Sequence, residues 1–433
     1  MENTKTQKEK PNIRNYIYSC LFNIYYNDAY SNIEIDHMIR AKHIEGADAA
    51  LLTNVVYGTL KHDKELRWEL SKLSNVTPKK EATVIILMSL YQFHFADRLP
   101  DFAVFHEAVN IAKAIGSTQM SNYVNAILRE AQRQNLKYTR EEAKSDEEYY
   151  SVIYNLPIWV VKMLITHYGK DIALKYMIAN FDTAPLSLRV NINRTNKEIL
   201  LRDKNFISGK LAKNSIIYVG DGKVAEHGFL KEGKCVIQDE SSQYCVEMLD
   251  PKDGEKILDM CAAPGSKSTY IATLAPKSKI LSIDIHEHRV ELMKKQIELL
   301  GIKNITCVTF DSTKLATKEK LVGSFDKILL DAPCLGLGVI RRKPDIALSL
   351  TGEKLDELVD LQSKLLENAY LLLKPGGTMV YSTCSVNKKE NNSQILSFLA
   401  RHSDMKRVFE KQIFQFEYDS DGFYICKLVK ENI

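Results

Sequence analysis

The stretch Lys256-Ile-Leu-Asp-Met-Cys-Ala-Ala-Pro-Gly-Ser-Lys267 decides the fold. Lys256 to Cys261 is a short apolar run of strand length, and the small residues after it form a turn that opens a helix at about Ser268. Reading outward, further strands are expected at Lys279 to Ile285, Ile305 to Phe310, Lys327 to Asp331, Thr378 to Ser382 and Phe423 to Leu428. Helices fill the gaps, notably His286 to Leu300 and Glu353 to Leu373. Strands separated by helix-length segments imply a parallel, doubly wound α/β sheet of Rossmann-like type, with ligands at the carboxyl ends of the strands.

Upstream the character differs. From Asn12 to about Asn135 apolar residues recur at helical spacing, as in Ala47 to Leu60 and Phe102 to Ala114, with Asp101 and Ser121 as expected N-caps. The charged patch Arg140 to Glu148 reads as a linker. Between Tyr149 and Lys231 the pattern is mixed, with a helix near Trp159 to Tyr168 and a strand at Leu186 to Ile192. The expected organisation is a disordered tail over 1–11, an all-α domain over 12–138, a small α+β domain over 149–231 and the α/β domain over 232–433.

Bulk properties exclude several classes. With 433 residues, 45% hydrophobic and 26% charged, the chain has the composition of a multidomain globular protein. The polar start resembles neither a secretory signal nor an anchor, and no apolar run nears the roughly 20 residues of a spanning helix, so a cytoplasmic protein without membrane association is expected. Eight cysteines without a CxxC pair argue against a disulfide framework and a zinc ribbon. His106-Glu107 begins an HExxH pattern, but Asn110 occupies the second His position, and no metal is expected. Net charge is only +4, yet Pro185 to Asn214 holds seven Lys or Arg against two acids, a local +5.

The turn after the first expected strand lets a ligand approach the backbone, and the following helix start favours an anion such as a carboxylate. Asp284 ends the second strand 19 residues after Gly265, where its carboxylate can accept ribose hydroxyls. Asp311 and Asp331 end later strands. The loop lacks GxGxxG spacing, and the chain holds no GxxxxGK[ST] phosphate loop. Two cysteines, Cys334 in Asp331-Ala332-Pro333-Cys334 and Cys384 in Tyr381-Ser382-Thr383-Cys384-Ser385, end strands and should open onto the same crevice. Cys20, Cys235, Cys245, Cys307 and Cys426 read as small core hydrophobes, and Cys261 as a packing or backbone contributor to the loop. His286 and His288 are expected to face solvent.

At these residues the chain resembles the RsmB/Sun-type family of RNA cytosine-C5 methyltransferases. LDMCAAPGSK, DAPCLGLGVIRRKPDI, YSTCS and DGFYICKL resemble its motifs in order, while NVVYGTL, LPDFAVFHEAVNIAK and YVNAILR resemble the NusB-like domain of its bacterial 16S rRNA branch. The resemblance implies S-adenosylmethionine (SAM) as cofactor, Cys384 as nucleophile and Cys334 as the thiol that assists product release. It also implies cofactor contacts from Cys261, Ala262, Ala263, Pro264, Gly265, Ser266, Lys267, Asp284, Arg289, Asp311 and Asp331, with Lys267 and Asp331 acting in catalysis as well. The basic stretch then becomes an RNA-binding subdomain, with Arg189, Arg194 and Lys197 as phosphate contacts, joined by Arg341, Arg342 and Lys343 beside the catalytic loop. The implied partner is 16S rRNA, unassembled or in an early small-subunit particle, bound by a monomer.

A thiol suits such chemistry. Carbon 5 of cytosine is a poor nucleophile until a thiolate adds to carbon 6, and an acid at ring nitrogen 3, for which Asp331 if protonated is the candidate, favours the addition. The base would have to be splayed into a deep pocket. Three departures from the family pattern stand out: Ser266 for a second glycine, tolerable only at negative φ, Leu335 for serine, and Asn387 for proline. The rival readings are the same chemistry on tRNA or 23S rRNA, and a non-catalytic RNA-binding or assembly factor, against which the intact Cys384, Cys334 and Asp331 speak.

Overall fold

A computed structural model describes residues 12–96, 100–222 and 224–432. The expected tail over 1–11 and Leu99 of the LPDF motif lie outside the described residues. Contacts divide the chain into two compact units, Met1–Phe181 with Arg342–Ser349, and Asp182–Arg341 with Leu350–Ile433.

The first unit is helical. Every residue from Ala82 to Gln92 in the helix Lys80–Phe95 is buried, because this segment is apolar on all sides and has no face to offer water. Helices Ile13–Tyr26, Gly46–Lys61, Asp63–Leu73, Asp101–Ile115 and Thr118–Gln134 pack on it. Close approach of Gly46–Lys61 needs Gly58, where a Cβ would fall 1.9 Å from Cζ of Tyr91. Two caps differ from expectation. Pro100 takes the N-cap before Asp101, and Ser121 is buried inside Thr118–Gln134, which Ser117 caps by accepting the Met120 N–H at 3.2 Å. Serines at 117 and 121 are one turn apart, so the sequence pattern could not separate them.

The stretch read as a linker is folded: Arg140–Glu142 forms a short 3-10 helix, and Ser145 caps the helix Asp146–Ile153. That helix, Ile158–Tyr168 and Lys170–Ala179 group with the first unit. The region expected to be one subdomain over 149–231 is divided at Phe181, its longer helices grouping with the first unit and its strands, together with the short helices Lys197–Leu200 and Gly228–Lys231, with the second. Segment Arg342–Ser349 also belongs to the first unit, where Ser31 donates to Asp345.

The second unit carries two sheets. The smaller is antiparallel, in the order β2-β3-β1-β4, from β1 (Leu186–Val190), β2 (Phe206–Ser208), β3 (Ser215–Tyr218) and β4 (Cys235–Ile237). Leu188, Val190, Leu200, Phe206 and Ile216 fill its own small core. The larger comprises β5 (Lys256–Asp259), β6 (Lys279–Asp284), β7 (Ile305–Thr309), β8 (Phe325–Asp331), β9 (Leu373–Thr383), β10 (Met405–Ile413) and β11 (Phe423–Lys430), in the order β10-β11-β9-β8-β5-β6-β7. Strands β5 to β9 are parallel, as expected, but β11 pairs antiparallel with β9 and β10 antiparallel with β11.

The antiparallel edge corrects the all-parallel expectation, and β10 was not foreseen. Its sequence MKRVFEKQI buries fully only Met405 and Ile413 and is otherwise exposed or half-exposed and rich in charge, as suits an edge strand that resists further pairing. From β5 the chain runs outward through β6 and β7, then crosses back to β8 and β9 on the other side of β5. The order therefore reverses between β5 and β8, and a crevice opens beyond their carboxyl ends. Among the described residues no helix is long and apolar enough to cross a membrane.

Candidate active site

The loop after β5 is built on a buried carboxyl. Asp259 accepts from Ser268 Oγ at 2.6 Å, and Ser282 donates to Ser268 Oγ at 2.9 Å, which locks the loop to the helix Ser266–Leu274 and to β6. Burial pushes the Asp259 carboxyl up to about 7, although Ser268 and Lys267 pull the other way. Gly265 has φ +97° and a Cβ there would lie 3.1 Å from Met293 Cγ, so a side chain is disfavoured twice over. Ser266 is the first helical residue and is not among those with positive φ, so the missing second glycine is accommodated.

A cavity of about 440 Å3 opens beyond these strands. The loop contributes Met260, Cys261 and Ala263, and β6 contributes Asp284 with Ile285 and Arg289 beyond it. Phe310, Asp311 and Thr313 follow β7, Asp331 ends β8 with Cys334 beyond it, and Cys384 follows β9. Leu361 and Leu365 close it from the helix Gly352–Leu372. Asp284 is only 5% exposed, accepts the His286 N–H at 3.0 Å, and has Arg289 at 3.5 Å. Thr313, which bonds Asp311 through both Oγ1 and N–H, holds that carboxyl below its usual range against partial burial.

This donor set fits SAM. Asp284 offers an acceptor for ribose hydroxyls, Phe310 and Ile285 offer flat apolar surface for an adenine, and the start of the helix Ser266–Leu274 favours a carboxylate. Of the expected cofactor residues, Cys261, Ala263, Asp284, Arg289, Asp311 and Asp331 line the cavity, whereas Ala262, Pro264, Gly265, Ser266 and Lys267 are not part of its lining. Sequence reasoning missed the apolar wall. Leu361 and Leu365 are four residues apart on one helix face, a spacing that marks a buried stripe but not what the stripe covers. His286 and His288 are exposed as expected, and His286 reaches the rim.

The two strand-ending thiols meet, with Cys334 Sγ 3.2 Å from Cys384 Sγ. Its bond to Cys384, then burial, push the Cys334 thiol well above its ordinary range, so Cys334 keeps its proton and can donate it to the other sulfur. Gly338 N–H donates to the Cys384 carbonyl at 2.9 Å. Beside them Lys267 Nζ lies 2.5 Å from Asp331 Oδ2, and Ser382 donates to Asp331 Oδ1 at 2.8 Å. Burial works against the Lys267 ammonium, but the Asp331 charge and hydrogen bond outweigh it and raise its pKa. Cys20, Cys235, Cys245 and Cys426 are buried, and burial pushes each thiol up to about 12, in keeping with core roles.

The expected RNA contacts need correction. Arg189 is fully buried: Nη1 donates to Gln238 Oε1 and to the Ser266 carbonyl, both at 2.6 Å, and Nη2 to Thr269 Oγ1 at 3.2 Å. Its guanidinium lies 4.7 Å from the Tyr270 ring, and burial lowers its pKa to about 9. It joins the small sheet to the cofactor loop and cannot reach a phosphate. Arg341 is 5% exposed and tied to Asp419 at 3.0 Å and Asp421 at 3.7 Å. Arg194 is exposed, but its guanidinium donates to the carbonyls of Glu232 and Leu300, and Lys197 donates to that of Lys213. Lys343 is exposed and Arg342 half-exposed, both in the first unit. Local positive charge is visible in sequence; which arginines are consumed by burial is not.

Comparison with known proteins agrees with this geometry. The 16S rRNA methyltransferase RsmB/F family matches residues 246–429, and the NusB family matches residues 11–133. A protein of Bacillus subtilis (strain 168), "Probable ribosomal RNA small subunit methyltransferase B", is 34% identical over 449 residues, covering 98% of this chain and all of its own. The "Ribosomal RNA small subunit methyltransferase B" of Yersinia enterocolitica is 34% identical over 406 residues, covering 90% of this chain and 92% of its own. A solved structure, PH0851, has the same fold, with TM-score 0.83 over 96% of this chain and 98% of its own at 24% identity. A methyltransferase homolog from Pyrococcus horikoshii aligns with TM-score 0.59 over 66% of this chain and all of its own at 26% identity.

Proposed function

The chain belongs to the RsmB/F family of 16S rRNA methyltransferases, SAM-dependent enzymes acting on RNA, and we propose that it methylates carbon 5 of a cytosine in 16S rRNA through a covalent bond from Cys384. The observation that carries this reading is the pair of thiols 3.2 Å apart on the wall of the cavity that also holds Asp284 and Asp331.

Bound SAM supplies a methyl group on a positively charged sulfur. Cys384 thiolate adds to carbon 6 of the flipped base, forming the S–C6 bond while the C5=C6 electrons become available at carbon 5. Asp331 faces the cavity with the Lys267 ammonium bonded to it, so a proton can pass from Lys267 through the Asp331 carboxylate to ring nitrogen 3. This pair takes the place of the lone protonated Asp331 expected from sequence. Once carbon 5 carries the methyl group, a base removes the carbon 5 proton, the C5=C6 bond re-forms, the S–C6 bond breaks, and Cys334, 3.2 Å away, assists release by donating its proton to the departing Cys384 sulfur. Asp284 and Asp311 orient the cofactor by hydrogen bonding, and Leu361, Leu365 and Phe310 exclude water.

For RNA, the exposed basic residues of the stretch besides Arg194, whose guanidinium donates to carbonyls, are Arg202, Lys204, Lys210 and Lys213, and these are the candidate phosphate contacts of the second unit, with Lys343 a candidate on the first. The substrate is free or early-assembled 16S rRNA, bound by a monomer in the cytoplasm. Cys384→Ala is expected to abolish labelled-methyl transfer while leaving SAM binding intact, and bisulfite sequencing of 16S rRNA from cells lacking the protein is expected to lose one methylated cytosine. Transfer retained by Cys384→Ala, or an unchanged bisulfite pattern, overturns the assignment.

A further inference from the structure

Glu390 is a carboxylate with no solvent exposure, and among the described residues no ion pair neutralises it. Both of its oxygens are occupied by the two catalytic loops. Oε1 accepts the Leu335 N–H at 2.8 Å, and Oε2 accepts the Ser385 hydroxyl at 2.5 Å. Leu335 directly follows Cys334, and Ser385 directly follows Cys384. Gln362 donates both to Oε1, at 3.2 Å, and to the carbonyl of Pro333, at 2.8 Å, so the residues on either side of Cys334 are tied to one carboxylate.

The other loop is held as tightly. Tyr381 donates to the Glu390 carbonyl at 2.6 Å, Thr383 donates to Asn391 Oδ1 at 2.6 Å, and Asn391 donates to the Ser385 carbonyl at 2.9 Å. Burying an unpaired carboxylate is costly, and it is tolerated where several donors converge on it. Burial pushes this carboxyl above its usual range while Ser385, Leu335 and Gln362 pull it back. Glu390 itself is absent from the cavity wall. Its presence serves the loops, not a ligand.

We infer that Glu390 is a positioning residue, which sets the separation of Cys334 and Cys384 by bonding the residue that follows each. Its catalytic consequence rests on the covalent mechanism proposed above; its effect on thiol geometry does not. The substitution at 335 fits this role, since Leu335 contributes through its backbone N–H while its side chain is buried.

The test uses the full chain with Glu390→Gln and Glu390→Ala, read in two ways. Diamide takes two hydrogens from a thiol pair, leaving an S–S bond and a hydrazine, and mass spectrometry of the peptides measures closure between 334 and 384. Closure is expected to slow at least tenfold in Glu390→Ala and by an intermediate factor in Glu390→Gln, which keeps the acceptor for Leu335 and Gln362 but turns a donor toward the Ser385 hydroxyl. The kcat of methyl transfer should fall in the same order, by roughly ten- to a hundredfold for alanine, because misplacement of about 1 Å has that effect. SAM affinity should stay within twofold. Wild-type closure rate and kcat in both variants overturn the inference. Should Glu390→Ala fail to fold, the size-matched glutamine variant decides. Thiol closure that depends on Glu390 in a protein that does not methylate RNA upholds the inference while refuting the proposed function; methylation through Cys384 with closure independent of Glu390 does the reverse.

Discussion

Replacing Lys267 with methionine keeps the length and apolar body of the side chain while removing the ammonium that lies 2.5 Å from Asp331. The Lys267 side chain is 13% exposed and that of Asp331 is 26% exposed, so the abandoned carboxylate is only partly rehydrated. Breaking a buried ion pair by removing one partner costs about 3–5 kcal/mol. Asp331 keeps its bond from Ser382 and some water, which places the expected loss at about 2–3 kcal/mol. The choice of probe follows from the fold. Trp68 and Trp159 both lie in the first unit, so tryptophan fluorescence reports the wrong one. Reactivity of the fully buried Cys245 thiol during urea unfolding reports the catalytic unit. In a cycle with Asp331→Asn, the double variant leaves no unpaired charge, and a coupling of about 2 kcal/mol is expected. The pH sign is also set. Lys267 has a folded pKa raised above its unfolded value, so its contribution is complete below the ordinary lysine range and is lost only as pH rises through the raised value. The coupling should therefore be flat from about pH 6 to 9. Methyl transfer by Lys267→Met should drop about a hundredfold or more, the scale of lost proton-transfer assistance. A coupling under about 0.5 kcal/mol, or activity near wild type, refutes the reasoning.

Cys334→Ala is expected to leave the Cys384 addition intact but remove the thiol that assists release, so an RNA adduct that survives denaturing electrophoresis should accumulate; an adduct from Cys384→Ala instead would exchange the two roles. Asp259 is raised from 3.8 to about 7, so between those values the unfolded chain is ionised while the folded one keeps its proton, and this residue makes stability fall as pH rises across that window. Asp259→Asn should flatten that part of the slope in melting curves from pH 4.5 to 7.5, and an identical slope would show that the burial argument is wrong. Arg189→Met should weaken SAM binding through the loop it holds at Ser266 while leaving the salt dependence of RNA binding unchanged. A reduced salt slope would restore Arg189 as a phosphate contact.

Legibility followed local pattern. The strands β5, β6, β8 and β9 were readable because a parallel strand covered on both faces is a continuous apolar run, and Asp259, Asp284 and Asp331 mark the ends of β5, β6 and β8, where the chain turns toward the crevice. Strand β10 was not, because this edge strand buries only its two end residues and intersperses charges between them, leaving no apolar run or alternation. Cys334 and Cys384 could be placed in one crevice from their positions after strands, but their contact depends on β8 and β9 being neighbours in register, Asp331 opposite Ser382.

Arginine marks the limit most clearly. In sequence Arg189 and Arg194 are positive charges of the basic stretch and Arg341 stands beside the DAPC motif, so charge alone nominates all three. Only the fold determines that Arg189 and Arg341 are buried and that the Arg194 guanidinium is spent on carbonyls. Glu390 is the converse case: an acid in a run of polar residues, KKENN, which sequence pattern would assign to solvent. The chain by itself determines which residues can do chemistry, because reactivity is a property of side-chain type and local spacing. Tertiary structure decides which of them face a cavity and which hold others in place, because burial and convergence arise from elements far apart along the chain.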